Sequence, residues 1–547
     1  ITAAAYDGSQ ALDGGDDLSG GDGFVDTLTL GGLSVETNGT DITNWETIVV
    51  DGGSFSVTDG EVSVGSAPST GFVVTNGAIF EGGDALAILG NLSIDSSSSF
   101  IGTGAGSGVY SVTGNVINDG VITTQDGVVG DTFTVSGNYS GGGSLIVDID
   151  TSNDTADTLL VTGDATGTTI VSVNNLTPSN GTGNDLTIVT VEGASDPDAF
   201  VLAGGNFTVG AFDYGLEFLD GSFVLEAGSV ANATGATYEA ASNALGWINH
   251  LPTLEQRVGQ RQWAGKELAR DQIEPSDGIW IRAHGDQLDI TASTGTAIDR
   301  SSWGLQAGID LEVDENDDGT MVLGLTAQYA TQDASARNSL GFGNIDSEAY
   351  GVGLTATWYG DSGTYFDIQG QANWISSDFF SSLAGELAQD ETTRAYAASL
   401  EVGRRFETSQ NGTLVPQAQL VWGNLDGASF VDNANNTVDL GNQSSLEGRI
   451  GIAYEFENND EASGDREKYY VIGNVLHRFS DDNSAEVLGV SLDSSLPSTW
   501  AEVGVGGSLT VDENKTFYGE ASYRTSLDGG FGDNRGLSFT TGFRLQW

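Results

Sequence analysis

"GLSFTTGFRLQW", residues 536–547, is an unexpected ending for a chain with 77 acidic and 18 basic residues. Phe539, Thr541, Phe543, Leu545 and Trp547 alternate with Ser538, Thr540, Gly542, Arg544 and Gln546. Successive side chains of a strand point to opposite faces, so this stretch shows an aromatic and aliphatic face opposite a polar one. One face requires lipid or a core, and the other requires water.

The same period of two extends back to residue 277. Ile279, Ile281 and Ala283 alternate with Arg282, His284 and Asp286, and Leu446, Ile450, Ile452, Tyr454 and Phe456 stand against Glu447, Arg449 and Glu455. Twelve such stretches are readable, near 277–288, 300–312, 320–331, 346–359, 363–376, 393–406, 413–424, 444–456, 467–479, 498–511, 515–525 and 536–547. Each is long enough to cross a bilayer as a tilted strand. Connectors after odd strands, such as "WISSDFFSSLAGELAQDETTR", are expected to be loops of roughly 10–20 residues. Those after even strands, such as "YGDSGTY" and "VDENK", read as short turns, with "ENNDEASGDREK" a longer exception. Trp280, Trp303, Trp358, Trp374, Trp422, Trp500 and Trp547 fall near strand ends, where aromatic girdles lie. Arg282, Asp310, Glu447, Arg449, Glu502, Glu520, Arg524 and Arg544 occupy the polar faces. A soluble sandwich would turn these charges outward and a barrel would turn them into its pore; alternation fits both. The terminal strand resembles the outer-membrane targeting signal read by the barrel-assembly machinery, with Phe539, Phe543, Leu545 and Trp547 at its positions. That resemblance implies that the apolar face is for lipid and that these eight charges line a pore.

Composition agrees with an all-β chain. Gly is 79 of 547 residues, roughly double ordinary usage, and Pro only 7, which suits strand and turn glycines rather than linkers. There is no Cys, so no disulfide, thiol chemistry or Cys-based metal site. A net charge of −59 excludes a nucleic-acid footprint. No apolar run of about 18 residues offers a transmembrane helix. The chain opens at Ile1 without a charged segment and apolar run, so any signal peptide is expected to have been removed or left out.

The charges divide the chain. Residues 1–256 hold 33 Asp and Glu and no Lys or Arg; the remainder holds 44 acids and all 18 bases. Before residue 130, short apolar segments such as "DTLTLGGLSVET", "AILGNLSID" and "SGVYSVTGNVINDGVITTQDG" recur between Gly, Asn, Asp and Ser. Short strands at steady spacing suit a sandwich or a solenoid; the long run without a helix, with Asn and Gly at presumed corners, favours a solenoid with rungs of about 20 residues. Residues 130–226 include "ADTLLVTGDATGTTIVSVNNL" and "FDYGLEFLDGSFVLEAG". With its D-x-L-x-V-x-G stretch at Asp157–Gly163 and late aromatic strand pair, this region resembles the pertactin-like autochaperone part of autotransporter passengers. The resemblance implies a right-handed parallel β-helix capped by a region that folds first and templates the rest.

Between the halves, "ATGATYEAASNALGWINHLPTLEQRVGQRQWAGKELARDQ" (233–272) begins Ala-rich and free of Pro, predicting a helix of roughly 12–15 residues up to about Asn249, interrupted at Pro252. An ordinary interdomain helix would look the same. Its tail "LPTLEQRVGQRQW" resembles the lead-in to autotransporter barrels, which implies an α-helix spanning the pore.

Three catalytic or metal motifs fail on their context. "GDSG" (Gly360–Gly363) looks like a serine-protease nucleophile stretch, but it falls in a tight turn, and His250, His284 and His477 all lie outside the N-terminal module, so no Ser/His/Asp set forms there. "DENDDG" (Asp314–Gly319) starts like an EF-hand loop, but its twelfth position is Leu325 and its flanks are strands. "GGDGFVDTL" (Gly20–Leu28) approaches a calcium nonapeptide with one residue too many before Asp26. Some autotransporters cut themselves inside the pore at an Asn, and Asn249 sits where such a site would fall. They usually show Asn-Asn there, so tethering is the stronger expectation.

The expected organisation is all-β. A right-handed parallel β-helical passenger (1–129) leads to its cap (130–228), a linker with a pore-spanning α-helix (229–272) and a twelve-stranded antiparallel transmembrane β-barrel (273–547). This implies a monomeric autotransporter of the type V pathway, anchored in the outer membrane with its passenger on the surface for adhesion or interaction. A carboxylate-based hydrolase passenger and a porin-like channel are the alternatives. No cofactor, metal or nucleic acid is expected. Outer-membrane lipid, the barrel-assembly machinery, periplasmic chaperones and a surface ligand are the expected partners.

Overall fold

The computed structural model describes every residue except 1, 4–5, 16, 19–22, 179–183, 262, 264–276, 317, 410, 461–464, 483, 513 and 529–532. Part of the Gly20–Leu28 stretch and the end of the 229–272 linker therefore lie outside the described residues. The chain forms two compact units, Ile1–Ser229 and Val230–Trp547.

The first unit is a solenoid of parallel rungs. Leu92, Val116, Tyr139 and Ala165 lie over one another in successive parallel pairings, at spacings of 24, 23 and 26 residues. A second face stacks Ile79, Ser99, Val121 and Ser144, and a third stacks Val109, Thr132 and Thr158. Alternate residues point inward, and one rung cannot bury its apolar face alone, so the core is continuous along the stack. Phe72 and Phe80 stack at 4.2 Å, and Phe100 packs edge-on against Phe80 (5.8 Å) and Phe133 (5.2 Å).

The recurring Gly-Asn pairs build one corner. The Asn115 amide N–H donates to Asn91 Oδ1, that of Asn138 to Asn115 Oδ1, and that of Asp164 to Asn138 Oδ1, each at 2.9 Å. Just before each lies a Gly whose N–H bonds the carbonyl of the Gly one rung below, Gly114 to Gly90 at 2.8 Å and Gly137 to Gly114 at 3.0 Å. A Cβ on Gly137 would sit 2.5 Å from the Gly114 carbonyl oxygen, so only glycine lets the rungs approach. Parallel stacking continues well into 130–228, with Thr169–Val171 pairing Phe200–Leu202. Apart from a short antiparallel pairing of Ile149–Asp150 with Thr155–Ala156, antiparallel pairing is found at the end, where Ser222–Ala227 pairs with Leu186–Val191 and with Phe212–Leu219, which pairs in turn with Asn206–Val209. This hairpin covers an edge that would otherwise present unpaired backbone groups.

The second unit contains the closed barrel. Its strands are Gly278–Thr291, Ala297–Asn316, Gly319–Asn338, Gly341–Gly360, Thr364–Ser381, Gly385–Arg404, Gly412–Asp426, Asn442–Asp460, Asp465–Asp482, Thr499–Val511, Lys515–Ser526 and Arg535–Gln546. Neighbours pair antiparallel, and the last strand returns to the first, with Gly278 opposite Gln546 and Asp289 opposite Arg535.

Three details differ from the sequence reading. The residues expected to form long loops after the first, third and fifth strands are mostly strand, and "WISSDFFSSLAGELAQDETTR" is a hairpin turning at residues 382–384. The period of two persists there with its polarity reversed: Ile345, Ile375, Phe379 and Leu387 are buried inside, while Asp333, Asp346, Glu348 and Asp378 face outward and are exposed. The apolar-out alternation thus ends before the strands do, so a search for it stops too early. Long connectors do follow the seventh and ninth strands, and they pair into a small sheet of Ser429–Val431, Thr437–Asp439, Ser484–Val487 and Val490–Asp493. Lastly, Trp280 and Trp500 are not girdle residues; 3% and 4% exposed, they point inward, whereas Trp303, Trp374, Trp422 and Trp547 are exposed.

Gly137→Ala is expected to destabilise the first unit by about 1–3 kcal/mol through overpacking at the corner. It would be read as a lower urea midpoint for protease protection of residues 1–229. An unchanged midpoint would show that the corner is not close-packed.

Candidate functional site in the barrel lumen

The candidate site is the lumen and the segment of chain that crosses it. Helix α1 (Ala233–Ala244) begins at Asn232, whose side chain accepts from the N–H groups of Thr234 and Gly235 at 3.0 and 3.1 Å, a standard N-cap. All of its residues are buried. Ala233, Gly235, Ala236, Ala240, Ala241 and Ala244 keep it slim, and small residues let a helix approach a surrounding wall closely. The reversed-polarity part of the barrel provides the apolar jacket, with the Tyr238 ring 5.8 Å from Phe379. Polar pins fix its rotation. Tyr238 OH donates to Asp432 Oδ2 at 2.9 Å, Asn243 Nδ2 to Ser494 Oγ at 2.7 Å, and Thr296 Oγ1 to Glu239 Oε2 at 2.9 Å; Thr234 Oγ1 and Ser381 Oγ lie 3.0 Å apart.

The helix does not span the pore. Twelve residues rise about 18 Å, less than the roughly 30 Å hydrocarbon core. A 3-10 turn (Leu245–Asn249) containing Gly246 follows, then an extended stretch through Pro252, which has no N–H to continue a helix. A second short helix, α2 (Leu254–Val258), starts with a capping box between Thr253 and Gln256. The expected pore-spanning helix is therefore two helices with a break, set by Gly246 and Pro252.

The break lies in the polar middle of the lumen. Asn249 Nδ2 donates to the Tyr396 carbonyl at 2.7 Å, and its Oδ1 accepts from Asn373 Nδ2 at 2.7 Å. Gln371 Nε2 donates to the Asn249 carbonyl at 2.9 Å. The nitrogen that would have to attack that carbonyl carbon is thus engaged by the barrel wall. Trp247 lies under three guanidinium groups, those of Arg300, Arg478 and Arg524, at 5.2, 5.0 and 4.6 Å, an arrangement favoured by the negative face of the ring. A cavity of about 130 Å³ remains beside it, lined in part by His250, His284, Asp286, Glu447 and Arg524.

The eight charges singled out from the sequence all sit on the inner face. Arg282 donates to Gln306 Oε1 at 2.8 Å, and Asp310 is buried. Arg449 bonds Gln417 and Asn474 at 3.1 Å each and lies 3.4 Å from Glu401. Glu502 accepts from Asn474 at 2.8 Å, and Glu520 from Gln256 of α2 at 2.7 Å. Arg544 NH1 donates to the Val258 carbonyl at 2.5 Å, at the C-terminal end of α2 where a cation suits the helix dipole. On the outer face of the last strand, Phe539 and Trp547 are exposed and Phe543 and Leu545 half-exposed. Phe539 lies opposite Gly285, where a Cβ would meet its ring at 2.7 Å.

The sequence reading missed a fully buried ion pair in the lumen. Arg257, 1% exposed, makes a two-pronged bond to Asp367 (2.7 and 3.2 Å) and a third bond to Thr357 Oγ1 at 3.0 Å; Asp367 is fully buried. Asp367 belongs to the inward set Tyr365, Asp367, Gln369, Gln371 and Asn373, a signal that alternation carries. Nothing in the sequence pairs it with Arg257, 110 residues away.

Residues 279–522 match the Autotransporter beta-domain family model, and residues 123–238 match the Pertactin model. The chain is 33% identical over 483 residues to the Adhesin BmaC autotransporter of Brucella suis, covering 79% of this chain and 14% of that protein. It is 27% identical over 331 residues to the Pertactin autotransporter of Bordetella bronchiseptica, covering 59% and 33%. A more distant match, 27% over 184 residues, is Serine protease EspP of Escherichia coli, covering 34% and 13%. The chain thus spans a third or less of the length of each of these relatives.

Arg257→Ala leaves the Asp367 carboxylate buried and unpaired, and is expected to cost about 3–5 kcal/mol of barrel stability. Converting both partners to apolar residues, Arg257→Met with Asp367→Leu, should recover most of that. The thermal midpoint of the micelle-bound protein checks both, and equal losses would show that the pair is not what holds α2.

Proposed function

We propose, from the premise that this chain belongs to the autotransporter family, that its barrel carries its own acidic solenoid across the outer membrane and then holds it on the cell surface. One observation supports this above the others: residues 230–261, continuous in sequence with the solenoid, run through the barrel lumen, buried or half-buried apart from Gly246 and His250. The exposed apolar band of the barrel, including Ile281, Leu325, Leu354, Ile368, Ile450 and Val503, suits a lipid surround. Passage as an unfolded hairpin is compatible with a Cys-free passenger, and rung-by-rung stacking outside makes return costly, giving direction without ATP. With the Asn249 amide engaged by the barrel wall, the passenger stays attached. The machinery that assembles barrels, periplasmic chaperones and outer-membrane lipid are its partners, and it works as a monomer.

The passenger's role in this reading is adhesion or another surface interaction rather than catalysis. Residues 1–249 contain no His, Cys, Lys or Arg, which removes the usual nucleophile–base sets. Two relatives bear the names adhesin and pertactin, against one named a serine protease.

Protease treatment of intact cells, followed by mass determination of what remains in the outer membrane, tests the proposal. The expected product starts within about 30 residues before α2 and contains Trp547, since burial in the lumen denies the protease its substrate backbone. A passenger protected until the outer membrane is permeabilised would contradict surface display. In planar bilayers the intact protein should conduct little, and a variant lacking 233–258 should conduct freely; high conductance by the intact protein would favour a channel instead.

A further inference from the structure

The rungs that pair Val109 with Thr132 and Thr132 with Thr158 place Gly108, Asp131 and Asp157 in one column at a corner of the solenoid, one rung apart, or about 4.8 Å. Both aspartates are fully buried. Asp157 is surrounded by donors: its Oδ1 accepts from the Gly130 and Asp131 N–H groups at 3.0 Å, and its Oδ2 from Thr124 Oγ1 and the Asp148 N–H at 2.8 Å. Asp148 accepts from the N–H groups of Asp126 and Gly127 at 2.9 and 2.7 Å and from Asn174 Nδ2 at 2.5 Å. Asp131 differs. Its Oδ1 accepts from the Gly108 N–H at 2.5 Å, and its Oδ2 is buried with no partner.

A buried carboxylate needs a counter-charge, a donor or a proton. The groups facing Asp131 are the carboxyls of Asp157, Asp126 and Asp148 and the phenol of Tyr110, whose hydroxyl is given to the Gly83 carbonyl. No cation is available within the module, because residues 1–249 contain no Lys, Arg or His. A metal does not fit either. The carboxyl oxygens turn towards separate N–H and hydroxyl donors, and among the described residues no three acidic or His side chains are arranged to hold an ion.

We propose that Asp131 is a proton-capture site inside the solenoid, which makes the rungs from Gly108 to Val161 hold together more firmly in mildly acidic surroundings than in neutral ones. Burial first, and then the facing carboxylates, push the Asp131 carboxyl up to about 6 against the pull of the Gly108 amide. Burial also raises Asp157. An acid whose folded value lies above its ordinary 3.8 binds its proton more tightly in the folded state. Its stabilisation is complete below the ordinary value and is lost as pH rises through the folded one. Asp95 and Asp150, where desolvation is the largest single contribution but several hydroxyl and amide hydrogen bonds together outweigh it, are held low. What they contribute is lost only in stronger acid and leaves this window clear.

Hydrogen–deuterium exchange on the full chain in detergent micelles, corrected for intrinsic exchange rates, reads the effect locally. In the native protein, opening of 108–112, 132–135 and 158–161 is expected to be about tenfold more frequent at about pH 7.5 than at about pH 5, with barrel peptides unchanged. Asp131→Asn should remove most of that difference, leaving only what Asp157 contributes, and protect these rungs at neutral pH nearly as well as acid does in the native chain. Asp126→Asn, which removes a facing charge and leaves the column intact, should shrink the difference. A flat native profile, or an Asp131→Asn chain that keeps the native pH slope, overturns the proposal. So does protection restored at neutral pH by calcium chloride, which would make the column a cation site.

Discussion

Closure of the barrel is the constraint on which the second unit depends. A membrane core offers no water to backbone N–H and C=O groups, so a sheet can stay there only if its first and last strands meet. Pairing of Gly278–Asp289 with Gly536–Gln546 and Arg535 supplies that seam. The seam also fixes the lumen, because closure makes one set of alternating side chains face a single enclosed space. Arg544, on the strand that completes the ring, reaches the end of α2 from there. Closing the wall and holding the chain inside it are in this sense one event.

The enclosed space is layered. At one end, Ile345, Ile375, Phe379 and Leu387 surround a helix made slim by alanine and glycine. In the middle, amides and guanidinium groups take up the polar backbone of the break around Asn249 and Trp247. At the other end, α2 is held by Arg257 and Asp367 within an apolar cluster of Leu254, Val258, Tyr359, Tyr365 and Tyr470. A buried ion pair adds little net stability over an apolar substitute, but it penalises misplacement severely. Its position here suits a device that sets where the chain comes to rest.

Much of this was legible in the sequence, and the gaps have physical causes. Alternation in stretches such as Ile279–Asp286 identified the twelve strands because a barrel wall has a period of two throughout. The Gly-Asn recurrences identified corners because only Gly tolerates rungs so close, as at Gly137. The strand extensions around Asp346 and Asp378 were missed because polarity reverses there, with apolar residues inside and acidic ones outside. Trp280 and Trp500 were misplaced because proximity to a strand end says nothing about which face a residue occupies. The Arg257–Asp367 contact was invisible because its partners are distant in the chain and meet only when the segment lies inside the barrel. The column of Asp131 under Asp157 was hidden for a similar reason, since rung lengths vary and register cannot be counted from one sequence.

The central claim is that the chain's own residues 230–261 occupy the lumen in the membrane. The absence of Cys permits a direct measurement. Thr234 of α1 and Ser381 of the barrel wall place their hydroxyl oxygens 3.0 Å apart. In a chain carrying Thr234→Cys and Ser381→Cys, expressed in cells and alkylated before extraction, the account predicts near-complete disulfide formation and no alkylation of either thiol. Full alkylation of both, with the barrel assembled and the passenger exported, would place α1 outside the lumen and contradict it.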